Sequence, residues 1–230
     1  MESESAPATT SQGIELEAKA ILFDLDGTLI DSTQATERSW NKWAEALGID
    51  GYRHNGHGLP ARDIVARHVA PDRRQEALRL AERLEEQETE GIAVKEGARR
   101  LLRSIPSGRW GIVTSCTADL ARVRMDAAGL AAPAVMITAD DVVHGKPSPE
   151  GYQAAARSLG FDPIACLVVE DTAAGLEAGR SAGCRTVGVA GTLAAPELDA
   201  DYVIESMTLV SIRPTETAVV VHLAAPQQPR

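Results

Sequence analysis

The chain has 230 residues, of which 44% are hydrophobic and 3% aromatic, and a formal net charge of −10. That length suits one domain with a modest insertion, its core built mainly from Ala, Val, Leu and Ile. The acidic balance argues against a nucleic-acid binder, and any phosphorylated ligand needs local cations, a metal or oriented N–H groups.

Residues 1–17 are rich in Ser, Thr, Glu and Ala without apolar periodicity and read as a disordered tail. Their acidic start, with no apolar segment behind it, does not suit a secretory signal. An apolar strand, Ala20-Ile21-Leu22-Phe23, then ends in Asp24-Leu25-Asp26-Gly27. From Gln34 to Leu47, Trp40, Trp43, Ala44 and Leu47 fall on one face of a helix that Gly48 closes. Gly51 to Pro60 reads as loop, Asp63 as the cap of a short helix to Val69, and 72–90 as a charged helix with a stripe of Ala77, Leu80, Ala81 and Leu84. No strand is expected between 33 and 92.

Strands and helices then alternate. Helix 96–104 precedes strand 110–114, helix 117–128 precedes strand 134–138, and helix 149–159 precedes strand 166–170. A glycine-punctuated helix to Ala182 leads to short strands at 185–189 and 202–204. Continuous apolar strands between helices indicate an α/β fold, a doubly wound parallel sheet covered on both faces. The expected organisation is a core of 18–32 and 93–212, an all-helical cap of 33–92 inserted after strand one, and 213–230 as an edge strand (218–223) with a loose tail. The longest apolar stretches are too short or too broken to span a membrane. Cys116, Cys166 and Cys184 form no CxxC pair and suit a reducing cytoplasm rather than a disulfide framework.

In a doubly wound sheet ligands bind at the carboxyl ends of the strands. Those ends carry Asp24 and Asp26, Thr114 and Ser115, and Glu170 and Asp171, with Lys146 in the loop after strand 134–138. Four carboxylates in one place require a cation, and hard oxygen ligands suit Mg²⁺ better than zinc. Thr114 and Ser115 lie just before a helix N-terminus, where hydroxyls and free N–H groups bind anions. Carboxylates, Mg²⁺, an anion cradle and Lys146 together describe phosphoryl transfer to an aspartate. Each element has an ordinary structural role when alone; their order and shared edge give them force.

The run Asp24-Leu25-Asp26-Gly27-Thr28-Leu29, then Thr114, Lys146-Pro147 and Glu170-Asp171, resembles the four-motif signature of the haloacid dehalogenase superfamily, across about residues 20 to 205. The resemblance implies a Rossmann-like core in which Asp24 attacks phosphorus and Asp26 is the general acid/base, an acid the dehalogenases themselves lack. It implies Mg²⁺ on the Asp24 carboxylate, the Asp26 carbonyl and Asp171, with Glu170 as ligand or support. Thr114, Ser115 and Lys146 are to hold the phosphoryl group. The helical cap is shared by sugar phosphatases and β-phosphoglucomutases; the mutases carry a cap His where this chain has Thr36, which favours a phosphatase over a phosphomutase. A catalytically silent binding relative is the remaining alternative, which the complete motif set disfavours.

His57-Gly58, Asp63, Ala70-Pro71-Asp72 and Thr138-Ala139-Asp140-Asp141-Val142 are similar to sugar-phosphate and glycerol-phosphate phosphatases. Those enzymes place a cation soon after His-Gly; here Leu59-Pro60-Ala61 intervenes, and Arg62 is the candidate cap contact beside His57. His54 and His144 read as surface or loop residues, Trp40 and Trp43 as cap core, and Cys116 as a small residue at a tight turn rather than an activated thiol. The expected partner is a small phosphorylated metabolite, with neither nucleic acid nor membrane.

Overall fold

The apolar run before Asp24 becomes a fully buried strand in the computed structural model, which describes residues 13–56 and 58–224. Two strands precede the helices: β1 (Ile14–Ala18) and β2 (Ala20–Phe23). β2 pairs in parallel with β5 (Trp110–Val113) on one side and β7 (Cys166–Glu170) on the other. Beyond them lie β6 (Met136–Ile137) outside β5, and β8 (Arg185–Val189) and β9 (Tyr202–Ile204) outside β7. The order β6-β5-β2-β7-β8-β9 is a doubly wound sheet whose winding reverses between β2 and β7. β6 is shorter than the expected 134–138.

Side-chain alternation along β2 sends its residues to opposite faces. Ile21 and Phe23 pack on one face with Leu101 and Leu102 of α4 (Ala98–Ser104) and Leu120 and Met125 of α5 (Ala118–Ala128). Ala20 and Leu22 pack on the other with Tyr152 and Ala155 of α6 (Glu150–Ser158) and Ala178 of α7 (Ala173–Ser181). Small residues let the helices approach closely, so few aromatics are needed. Thr117 caps α5 through Leu120 N, and Gly129 ends it in a left-handed conformation.

A two-residue ladder, β3 (Ile30–Asp31) with β4 (Ala93–Val94), ties together the two ends of the helical stretch. Between them stand α1 (Thr33–Leu47), α2 (Ala61–His68) and α3 (Arg74–Gln87), with no strand among the described residues. Their own core contains Trp40, Trp43, Ala44, Ile64, Ala77 and Ala81. Trp43 Nε1 donates to Ala77 O at 2.8 Å, so the ring joins α1 to α3 with its polar atom satisfied. Two local expectations change here. Asp63 lies in the first turn of α2, whose N-cap is Pro60, and α3 begins only after a 3₁₀ turn at Pro71–Arg73.

The termini depart further from expectation. Residues 14–17, read as tail, belong to β1, while residues 1–12 and 225–230 lie outside the described residues. Val219–Leu223 (β11) is no edge strand: it is the centre of an antiparallel sheet between β1 and β10 (Val210–Pro214), a strand the sequence reading did not place. Leu16, Val219, Val221 and Leu223 join the same core as Ile21 and Phe23. Among the described residues no helix is long and apolar enough to cross a membrane.

Candidate active site

Asp24 follows the last residue of β2, its N–H donating to Val169 O at 3.0 Å, so the backbone ladder fixes where its side chain begins. Asp24 is 5% exposed and Glu170 and Asp171 are fully buried. Oxygens of these three carboxylates lie within 4.8 Å of one another, a grouping able to hold a metal ion. Lys146 Nζ enters between them. It donates to Asp24 Oδ1 at 2.5 Å, Glu170 Oε1 at 2.6 Å and Val113 O at 3.1 Å. Those acceptors use all three ammonium protons and compensate a charge that burial alone would not tolerate.

The two acids at the end of β7 have different surroundings. Glu170 Oε2 accepts from Asp171 N, Thr172 N and Thr172 Oγ1 at 2.8–2.9 Å, and Tyr152 Oη reaches Oε1 at 3.3 Å. A Cβ at Gly175 would stand 1.6 Å from Glu170 Oε1, so the carboxylate occupies space only a glycine leaves. Asp171 Oδ1 accepts from Thr28 Oγ1 at 2.8 Å, whereas its buried Oδ2 takes no hydrogen bond among the described residues. Gly27, at φ +91°, permits this approach, since a Cβ there would lie 2.0 Å from Oδ2. Burial pushes Asp171 up to about 6, with Glu170 adding to it, and burial likewise holds Asp24 well above the usual carboxylate range against the pull of Lys146. An orphaned carboxylate oxygen beside raised acids fits a hard divalent cation, which would satisfy the one and lower the others.

Asp26, two residues beyond Asp24, is held differently. Its Oδ1 accepts from Ser32 Oγ at 2.6 Å and pairs with Arg124 Nη1 at 2.9 Å. Its Oδ2 receives the Cys116 thiol at 3.0 Å. Burial pushes that thiol well up, with Asp26 adding to it, so Cys116 is a neutral, weak donor, in keeping with its reading as an unactivated residue.

Thr114 Oγ1 accepts from Cys116 N at 3.1 Å, the bond of a tight turn opening toward α5. Ser115 Oγ donates to Gly58 O at 2.8 Å, joining this turn to the loop before α2. A cavity of about 270 Å³ lies between the strand ends and the helical insertion, lined by Asp24, Asp26, Trp40, His54, Arg62 and Glu82 among others. Arg62 reaches from α2 to Ala139 O at 3.4 Å and Val143 O at 3.2 Å. His54 stacks on Trp40 with ring centroids 5.4 Å apart, so it belongs to the cavity wall more than to the surface. His144 is exposed, and His57 lies outside the described residues.

Two participants escaped the sequence reading. Arg124 (4% exposed) and Glu85 (7%) are buried, with Arg124 Nη2 3.0 Å from Glu85 Oε1. Each stands where its helix should be apolar: Arg124 beside Leu120, Ala121 and Met125, and Glu85 four residues after Ala81. A charge inside an apolar stripe was the available signal.

A family model described as haloacid dehalogenase-like hydrolase matches residues 18–183. Hexitol phosphatase A of Escherichia coli is 38% identical over 206 residues, covering 86% of this chain and 95% of that protein. Glycerol-1-phosphate phosphohydrolase 1 of Saccharomyces cerevisiae is 35% identical over 198 residues, covering 80% and 79%. The crystal structure of a hydrolase from Pseudomonas syringae superposes with a TM-score of 0.74 at 27% identity, covering 82% of this chain and 93% of that one.

Proposed function

The chain belongs to the haloacid dehalogenase-like hydrolase family and, with phosphatases for relatives, is a phosphoric monoester hydrolase; we propose that it cleaves small sugar or polyol monophosphates. The observation that carries this reading is the buried convergence of Asp24, Lys146, Glu170 and Asp171 beneath a cavity that also receives Asp26.

In the proposed reaction Lys146 fixes one oxygen of Asp24, and the carboxylate attacks phosphorus as the bond to the substrate alcohol breaks. Asp26 gives its proton to the departing alcohol oxygen, then takes one from the water that attacks the aspartyl-phosphate and frees Asp24. Asp24, Asp171 and the Asp26 carbonyl would hold Mg²⁺, with Glu170 behind them because its oxygens are already occupied. The ion, when bound, neutralises charge developing on the phosphoryl oxygens. Thr114 and Ser115 are the proposed cradle for those oxygens, and α1–α3 the cap that shields the intermediate from bulk water. Arg62 and His57 are proposed cap contacts to the substrate.

Thr36 supports water rather than a sugar hydroxyl as acceptor: it stands where mutases carry His, and its hydroxyl accepts from Arg124 Nη2 at 2.9 Å. Three buried free cysteines support a reducing, cytoplasmic setting. The test is phosphate release over a panel of sugar, polyol and nucleotide monophosphates with Mg²⁺. Asp24→Asn should retain the fold by circular dichroism and lose turnover by at least about 1,000-fold, as expected when a nucleophile is removed. Undiminished turnover by that variant sinks the mechanism, and no hydrolysis across the panel sinks the substrate class.

A further inference from the structure

The Asp26 carboxylate is less enclosed than its neighbours: its side chain is 23% exposed, against 7% for Asp24 and 0% for Glu170. What places it is polar: Ser32 Oγ and Arg124 Nη1 both on Oδ1, leaving Oδ2 to the weak thiol donor of Cys116. Of these partners only Arg124 is charged and reaches elsewhere. Its other nitrogen, Nη2, meets Thr36 Oγ1 of α1 at 2.9 Å and Glu85 Oε1 of α3 at 3.0 Å. Trp40 Nε1 holds Glu85 Oε1 from a second side at 3.2 Å. One guanidinium thus joins α5, the turn after β2 and two helices of the insertion.

We propose that Arg124 is a positioning residue: its planar fork fixes Asp26 Oδ1, presents Oδ2 to the leaving oxygen, and ties that placement to the helical insertion through Glu85 and Thr36. The inference rests on the proposed role of Asp26 as the proton donor. A fork is required because two separated acceptors must be met at once in fixed directions, which an ammonium on a flexible stem does not do. The arrangement also carries a cost. Arg124 Nε is buried without an acceptor among the described residues, and burying an unpaired N–H is unfavourable. Neutralising Glu85 alone would not require the other end of the fork to grip Asp26.

The competing account makes Arg124 only a buried counter-ion for Glu85. Removing both charges separates the two, because Arg124→Met/Glu85→Gln leaves no unpaired Glu85 carboxylate and keeps an acceptor for Trp40. The readout is kcat/KM for two substrates: a polyol monophosphate, whose alkoxide leaving group must be protonated, and p-nitrophenyl phosphate, whose leaving group departs as a stable anion. Because kcat/KM reports only the steps up to departure of the alcohol, it isolates the proton donation. The double variant should recover most of the melting temperature lost in Arg124→Met, yet lose about 100-fold in kcat/KM on the polyol phosphate and less than about fivefold on the aryl ester. Arg124→Lys should fall between wild type and the double variant in the same alkyl-over-aryl ratio. Equal losses on both substrates, or no loss once Glu85 is also neutralised, overturn the proposal. Asp26→Asn serves as the reference: if it lacks the alkyl-selective loss, the role of Asp26 fails and the inference with it, whereas that signature in Asp26→Asn alone overturns only the part given to Arg124.

Discussion

At the scale of single residues, Asp171 and Glu170 show how neighbours in sequence acquire different duties. Glu170 is enclosed by donors and by Gly175, while Asp171 has one oxygen that takes no hydrogen bond among the described residues and a carboxyl pushed up to about 6 by burial. The metal-free native protein therefore holds a proton on Asp171 more tightly than the unfolded chain, whose ordinary value is 3.8. Stability from this group is complete below that lower value and is lost as pH rises toward the folded one; Asp24, also raised by burial, acts in the same direction. In chelator, the protein should thus weaken between about pH 4 and 6, Asp171 accounting for up to about 3 kcal/mol. Saturating Mg²⁺ should abolish the trend, and Asp171→Asn should remove its share. Denaturant midpoints against pH, with EDTA or Mg²⁺, check this. Wild type and variant weakening identically in EDTA would show that Asp171 is not the group responsible.

At the scale of elements, legibility followed the range of the interactions that stabilise each one. β2 and β7 were readable because strands covered on both faces are continuous apolar runs, against which terminal acids stand out. α1 was readable from Trp40 and Trp43, and its end from Gly48, which adopts the left-handed conformation. The acids, the Thr114–Ser115 turn and Lys146 were legible because a doubly wound sheet brings its strand ends together. The Arg124–Glu85 contact was not, since it depends on how α5 packs against α3. β1 was missed for a related reason. Its Ile14-Glu15-Leu16-Glu17-Ala18 alternation buries Leu16 and Ala18 and leaves both glutamates in water, a half-buried strand whose partner lies about 200 residues away. Val221 of β11 sits between Leu16 and Ile212 in that sheet and is 2% exposed. Val221→Ala should cost about 2 kcal/mol from lost burial and the cavity left behind, with kcat unchanged well below the melting point. Urea unfolding measures it, and a loss under about 0.5 kcal/mol would detach the terminal sheet from the core.

At the scale of the molecule, a chain of net charge −10 must admit an anionic substrate. In the proposed reaction the metal site and Lys146 would serve the phosphate end, while the rest of the cavity holds few cations among the described residues. Of the arginines lining it, Arg62 bonds neutral backbone carbonyls and keeps its charge, whereas Arg124 is outnumbered by Asp26 and Glu85. Glu82 and Asp140 line the same space, and the Glu82 carboxyl is raised by burial, then by Glu86 and Asp140, with Arg79 only partly offsetting them. A second anionic group on the substrate therefore meets a negative wall, while the hydroxyls of a neutral polyol meet acceptors. Hence kcat/KM for a sugar bisphosphate should fall at least about tenfold below that for the corresponding monophosphate at low salt, and added salt should narrow the gap by screening. Glu82→Gln should narrow it about threefold by improving the bisphosphate while leaving the polyol monophosphate, whose far end is uncharged, nearly unchanged. Initial rates for the two substrates, with wild type and variant at two ionic strengths, decide the matter. A wild-type preference for the bisphosphate, or a ratio indifferent to both Glu82→Gln and salt, would place the selection elsewhere than in this wall.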